Sequence, residues 1–172
     1  MKNLKVCWPL LVMLSVFATT VSAQKKNKKA IRDSIQAAGI EKLLTSQKYV
    51  FTAEFASAAQ GGSTTLTSYF YLEVNPEAVN CILPYYGNSY NSGGISDSKI
   101  KLTSKNFDYL ADKSIPGHWY VSIKPKDSTT EKELLLDIAV DGSASLAVIS
   151  NNRSRMTYTG TIEAKVDRTT FN

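Results

Sequence analysis

The strongest constraint on how this chain folds is a change in hydrophobic period. Up to about residue 44, apolar side chains recur at helical spacing; after Thr45 they alternate with polar ones. A period of two puts successive side chains on opposite faces of a sheet. The alternation is cleanest in the last third, where it also sets the register. Asp141-Gly142 is a hairpin signal. A two-residue turn there would set Leu136 opposite Ala147 and Asp137 opposite Leu146, mixing polar and apolar faces. A three-residue loop, Val140-Asp141-Gly142, instead sets Leu134, Leu136 and Ile138 opposite Val148, Leu146 and Ala144, and Asp137 opposite Ser145. The spacing therefore predicts a type I turn with Gly142 left-handed in a bulge. The next turn obeys the same parity. A loop of Asn151-Asn152-Arg153 sets Val148 opposite Met156 and Leu146 opposite Tyr158, so three consecutive strands share one apolar face.

The rest of the chain extends this pattern. Residues 30–44 read as a helix, with Ile31, Ile35 and Ala38 at helical spacing and Leu43 and Leu44 closing the run. Phe51, Ala53 and Phe55 alternate with Thr52 and Glu54; Leu66, Phe70, Leu72 and Val74 share a face opposite Tyr69, Tyr71 and Glu73. Gln60-Gly61-Gly62-Ser63 is a loop between them, and Asn75-Pro76-Glu77 ends the second run. Shorter strands are expected near Ile82, at 100–102 and at 107–110; Trp119, Val121 and Ile123 then alternate with Tyr120 and Ser122. Eight or nine short strands after one helix predict a mainly β fold: an antiparallel meander, curled into a barrel or packed as a sandwich.

The first 23 residues stand apart from this pattern. Lys2 and Lys5 precede an apolar stretch from about Trp8 to Ala18, followed by Val21-Ser22-Ala23. That is the layout of a cleaved secretory signal peptide, with an apolar run too short to span a bilayer as a helix. The expectation is a single β-rich domain over residues 24–172, exported to the periplasm or secreted. Lys25, Lys26, Lys28 and Lys29 oppose export, because positive charge prefers the cytoplasmic side. Cys7 lies before the apolar core, where a lipoprotein would need its cysteine after it. The full chain carries a net +5; two lysines leave with the leader, giving about +3, and with the four lysines of the cluster set aside the folded body is close to neutral. The basic pI thus reflects a tail, read as a solvated terminus rather than a lipid or nucleic-acid contact. Beyond the leader only Cys81 remains, so no internal disulfide forms. Its apolar neighbours predict a buried, inert thiol.

Two segments carry a family resemblance. Leu83-Pro84-Tyr85-Tyr86-Gly87 with Tyr90 and Gly93-Gly94-Ile95 resembles the signature of domain-of-unknown-function family 4251. So does Gly142-Ser143-Ala144-Ser145-Leu146 with Arg153-Ser154 and Tyr158-Thr159-Gly160. The resemblance spans roughly Ala30 to Ile162. It implies a small, mainly β, exported protein of Gram-negative gut bacteria, and no chemistry. The family pattern would place a basic residue after the glycine of the first motif; here it is Asn88, which weakens any anion-binding role for that loop.

Candidate chemistry is sparse. One histidine, His118, and one mature cysteine exclude metal sites built on clusters of those residues. Ser-His-Asp catalysis would have to use His118, beside Trp119 at a strand start, and no glycine-flanked serine elbow is present. Glu54, Glu73, Glu77, Asp97, Asp108, Asp112 and Asp137 are scattered, and only the fold can bring a pair together for acid–base work. Gly61-Gly62 and Gly93-Gly94 lack the strand–glycine–helix context of phosphate loops. No cofactor is implied. Tyrosines and lysines lie apart in sequence, against a nucleic-acid partner.

The aromatic cluster is the more suggestive feature. Tyr85, Tyr86 and Tyr90 lie beside Asn88, Ser89, Asn91 and Ser92. Amphipathic rings with nearby amides suit sugars, peptides or a protein surface. The same run also suits a strand end folding back on its own core. The expected ligand-binding residues are Tyr85, Tyr86, Asn88 and Tyr90. The expected function is a non-catalytic exported cell-envelope protein that binds a small ligand, a glycan or a partner protein. A glycosidase-like hydrolase with a carboxylate site is the alternative. A hollow interior lined by Phe70, Trp119 and Leu136 would favour a ligand carrier; a full core would favour a surface-binding or structural role.

Overall fold

The computed structural model describes residues 28, 30–59, 61–87, 99–113 and 115–165. The chain divides into two compact units, residues 1–36 and 37–172. In the first, the described residues are the opening turns of a helix, α1, which runs over residues 30–46. Here Ser34 Oγ donates to the Ile31 carbonyl at 2.8 Å.

In the second unit α1 ends and the sheet begins. Gln47 takes a left-handed backbone, φ 52°. Its N–H bonds to the Leu44 carbonyl at 3.2 Å and the Lys48 N–H to the Leu43 carbonyl at 3.4 Å. This is a Schellman cap, which satisfies the last carbonyls and extends the helix two residues past the predicted end. The buried face of α1 also differs from the expected one. Ile40 and Leu44 are buried, whereas Ile31 and Ile35 are exposed.

Nine strands follow: β1 Tyr49–Ala58, β2 Ser63–Asn75, β3 Ala78–Pro84, β4 Lys99–Ser104, β5 Phe107–Asp112, β6 His118–Pro125, β7 Glu131–Ala139, β8 Ser143–Ser150 and β9 Met156–Ala164. They form one sheet in the order β4-β3-β2-β1-β9-β8-β7-β6-β5. Every neighbouring pair is antiparallel, so the edge strands β4 and β5 point the same way. Only Lys105 and Asn106 separate them. Two residues cannot cross a flat sheet of this size, roughly 38 Å wide at the usual strand spacing. The sheet therefore curls into a nearly closed barrel, and β4 and β5 act as one strand kinked between the two edges. Asp127 holds the kink: it accepts from Ser104 Oγ at 2.5 Å and from the Lys105 and Asn106 N–H groups at 2.9 and 3.3 Å. These bonds, with the Ser104 hydroxyl foremost, keep the Asp127 carboxyl below its ordinary range.

Large apolar side chains pack the interior among the described residues. Tyr49, Phe51, Leu72, Leu134, Leu136, Leu146, Met156 and Tyr158 are fully buried in one continuous cluster. Trp119 is buried with them and Phe70 packs at their margin. The predicted registers hold: Leu136 opposes Leu146, Asp137 opposes Ser145, and Val148 opposes Met156. Gly142 has φ +86°, the left-handed conformation its turn requires.

One strand departs from simple alternation. Phe55 is 42% exposed and Ala56 is buried instead. The register of β1 shifts between Ala53 and Phe55 against both neighbours: against β9 Glu54 is one extra residue, a bulge that reverses the parity beyond it, while against β2 the surplus lies in residues 66–69 of the partner strand. Gly160 faces this bulge. A Cβ there would lie 1.9 Å from the Thr52 carbonyl oxygen, so no side chain fits without moving β1.

Candidate functional site

The two sequence segments that stand out, around Tyr85 and around Arg153, meet in the folded chain. The Tyr158 hydroxyl donates to the Pro84 carbonyl at 2.6 Å. The Tyr85 hydroxyl accepts from the Ser154 N–H at 3.0 Å. The Arg153 guanidinium lies 5.2 Å from the centre of the Tyr85 ring and donates to the Lys99 carbonyl at 3.2 Å. Burial pushes the Tyr158 phenol and the Cys81 thiol well above their ordinary ranges. Glu131 is also buried and is raised by burial, although its carboxylate accepts from Ser128 Oγ at 3.2 Å. Chemically this is an inward-facing array in which the tyrosine hydroxyls, the guanidinium and the Glu131 carboxylate are bonded, while Asn152 Oδ1 beside it is buried with no hydrogen-bond partner among the described residues.

The expected ligand-binding residues therefore separate. Tyr85 is buried and bonded, in keeping with a strand end folded back on its core. Tyr86 is 54% exposed. Asn88 and Tyr90 lie outside the described residues.

A second feature lies on the outer face of β5–β9. There a half-open hollow of about 480 Å³ crosses the strands. Its apolar floor comes from Leu110, Leu135 and Ala147. Leu110 is 66% exposed, while Ala147 is buried although it points away from the barrel core. Ser145, Arg155 and Thr157 line the hollow with it. Across the strands, Asp112 opposes Tyr120 and Tyr120 opposes Asp137. The hollow thus has a tyrosine ring between two carboxylates at one end and a guanidinium at the other.

Its charged groups differ in how they are engaged. Asp137 Oδ1 lies 2.8 Å from His118 Nδ1, both side chains being partly exposed. Lys124 pairs with Glu133 at 3.3 Å, and Lys113 pairs with Glu41 at 2.9 Å while lying over the Trp119 ring. Asp112 and Arg155 take no ion pair among the described residues. Among the described residues no group of three or more His, Cys, Asp or Glu is placed to hold a metal ion. Sequence reading missed this hollow, yet it left a trace. In Leu134-Leu135-Leu136 the middle leucine falls on the outward parity of β7, where a polar residue is expected.

No helix among the described residues is long and apolar enough to cross a membrane. None of the curated proteins matches this chain. It is similar to a crystal structure of a DUF4251 family protein from Bacteroides eggerthii DSM 20697, with a TM-score of 0.59 and 16% identity, covering 78% of this chain and 91% of that one. That likeness shows a shared fold. The family model described as a domain of unknown function, DUF4251, matches residues 31–162, the span that holds the nine strands almost entirely, and the chain belongs to that family.

Proposed function

We propose that this chain is a non-catalytic exported protein of the cell envelope that binds a small ligand on the outer face of its barrel. One observation carries the reading: an apolar floor of Leu110, Leu135 and Ala147, walled by Tyr120, lies outside a barrel whose interior is packed. Concave apolar surface with a few polar groups at its margin is the usual form of a small-molecule site. A packed interior argues against a carrier that encloses its ligand. Export rests on the leader-like residues 1–23, and it predicts a mature chain starting at Gln24, read by mass spectrometry of protein from its native host. An intact Met1 terminus would overturn it.

Ala147→Trp tests the site, because the new ring fills the hollow from its floor. Native mass spectrometry of protein recovered from its host should show a bound small molecule that the variant lacks, with both proteins melting alike. A ligand retained equally by the variant would place binding elsewhere, with the exposed Tyr86 next in line. A glycosidase reading keeps one supporting observation. Asp112 and Asp137 flank Tyr120 in register, two strand spacings or roughly 10 Å apart along the backbone. Hydrolysis of aryl glycosides that Asp112→Asn abolishes would favour that reading over simple binding.

A further inference from the structure

The hollow on β5–β9 has a chemical polarity that narrows what it accepts. Its wall sets the Tyr120 ring between Asp112 and Asp137, and its floor is aliphatic. An aromatic face attracts a cation, and flanking carboxylates add to that attraction. Neighbouring protein cations are already committed, Lys113 to Glu41 and Lys124 to Glu133. His118 engages one oxygen of Asp137, and Asp112 has no such partner among the described residues. Arg155 stands at the far end, on β9, and would repel a second cation there.

The geometry points to an amphipathic amine as the ligand: a small molecule with an ammonium head at Tyr120 and Asp112 and an apolar body on Leu135 and Ala147. This rests on the reading of the hollow as a binding site and gives it a ligand class. A free small molecule fits better than a peptide. The central strands β6, β7 and β8 are each paired on both sides, so across most of the hollow the backbone offers nothing to a peptide main chain, and only the rim strand β5 is an edge. Peptides that dock on sheets gain much of their affinity from such bonds at an open edge.

Three probes with one apolar body and different heads test this: 4-phenylbutylamine, 4-phenylbutanol and 4-phenylbutyrate. Each is titrated into the protein while the methyl resonances of Leu110, Leu135 and Ala147 are followed by NMR. The amine should bind about tenfold more tightly than the alcohol, and the acid no more tightly than the alcohol. Asp112→Asn should remove most of the amine's advantage while leaving the alcohol's affinity unchanged. Asp112 is exposed on an edge strand, so the variant should fold, and its melt checks this. Equal binding of amine and alcohol at these methyls overturns the cationic ligand and leaves the hollow as a site. An amine advantage that survives in Asp112→Asn also overturns it. No shift with any probe overturns the ligand class, and the Ala147→Trp comparison then judges the hollow independently.

Discussion

Gly160→Ala is the sharpest test of how the barrel is built. The added Cβ would sit 1.9 Å from the Thr52 carbonyl oxygen, 2.9 Å from its carbon and 3.1 Å from Ala53 Cα. Ordinary non-bonded contact needs about 3.5 Å, so β1 must retreat by roughly 1.5 Å at this point. The obstacle is backbone, which has no rotamer to change. Retreat would open the ladder where Ala53 opposes Gly160 and Thr52 opposes Thr161. Two weakened ladder bonds cost about 0.5–1.5 kcal/mol each, and displaced packing around the buried Phe51 and Tyr158 adds about 1–3 kcal/mol. The expected loss is about 2–6 kcal/mol, a large share of the 5–15 kcal/mol that holds a typical domain together. Gly142→Ala is the control. Its Cβ would meet its nearest atoms at 3.5 and 3.7 Å, so only the left-handed backbone opposes it, at about 1–2 kcal/mol. Urea unfolding should rank Gly160→Ala well below Gly142→Ala, and hydrogen exchange should show lost protection in β1 and β9. Equal midpoints for the two variants would refute the bulge geometry.

Three other perturbations, and a pH series, probe the core. Leu146→Ala removes a fully buried side chain opposite Leu136 and should cost about 2–5 kcal/mol in a urea titration. Tyr158→Phe strips the buried Pro84 carbonyl of its donor and should cost about 1–3 kcal/mol, with little change in far-UV dichroism. Cys81 is buried, with its thiol pushed up by that burial, so a thiol reagent should label it slowly in the native state and fast in urea. Glu131 is raised by burial, so between the ordinary carboxylate range and its folded value the native state keeps a proton that the unfolded chain releases. Its contribution is therefore full at low pH and is lost as pH rises through that window. Glu131→Gln should flatten this loss, read as the difference between the two proteins' urea midpoints from about pH 4 to 7. Asp127 and Asp141 are held low and act in the opposite sense, losing their contribution as pH falls below about 4, equally in both proteins.

The sequence made the C-terminal meander legible because its inward positions, Glu131 at the start of β7 excepted, carry no charge and are mostly apolar, and every turn constrains parity. A one-residue slip between β7 and β8 would have set Asp137 against Leu146, so only one register was consistent. The same logic failed at Phe55. A bulge adds a residue without any marker in β1 itself; the matching signal is Gly160, some hundred positions away on β9. Helix α1 was placed correctly, but not its buried face. Apolar spacing alone did not distinguish Ile40 and Leu44, which the barrel covers, from Ile31 and Ile35. Nor could the sequence say that Tyr85 points inward and Tyr86 outward, because its anchor is the Ser154 amide on a distant loop.

The outer hollow was hidden for a related reason. Its floor and wall come from β5–β8, and Arg155 precedes β9, so no window of sequence holds more than a fragment of it. What unites these residues is parity, since each occupies the face that the barrel core does not use. Most outward positions on these strands carry charge or hydroxyl, as in Ser122, Lys124, Glu133, Ser143 and Thr159. Leu110 and Leu135 break that rule without serving the core. Stability alone does not require them there, because a polar residue on an exposed face costs little. An outward leucine beside a sunken alanine, with an aspartate and an arginine at its ends that take no ion pair among the described residues, is the arrangement the proposed ligand would use.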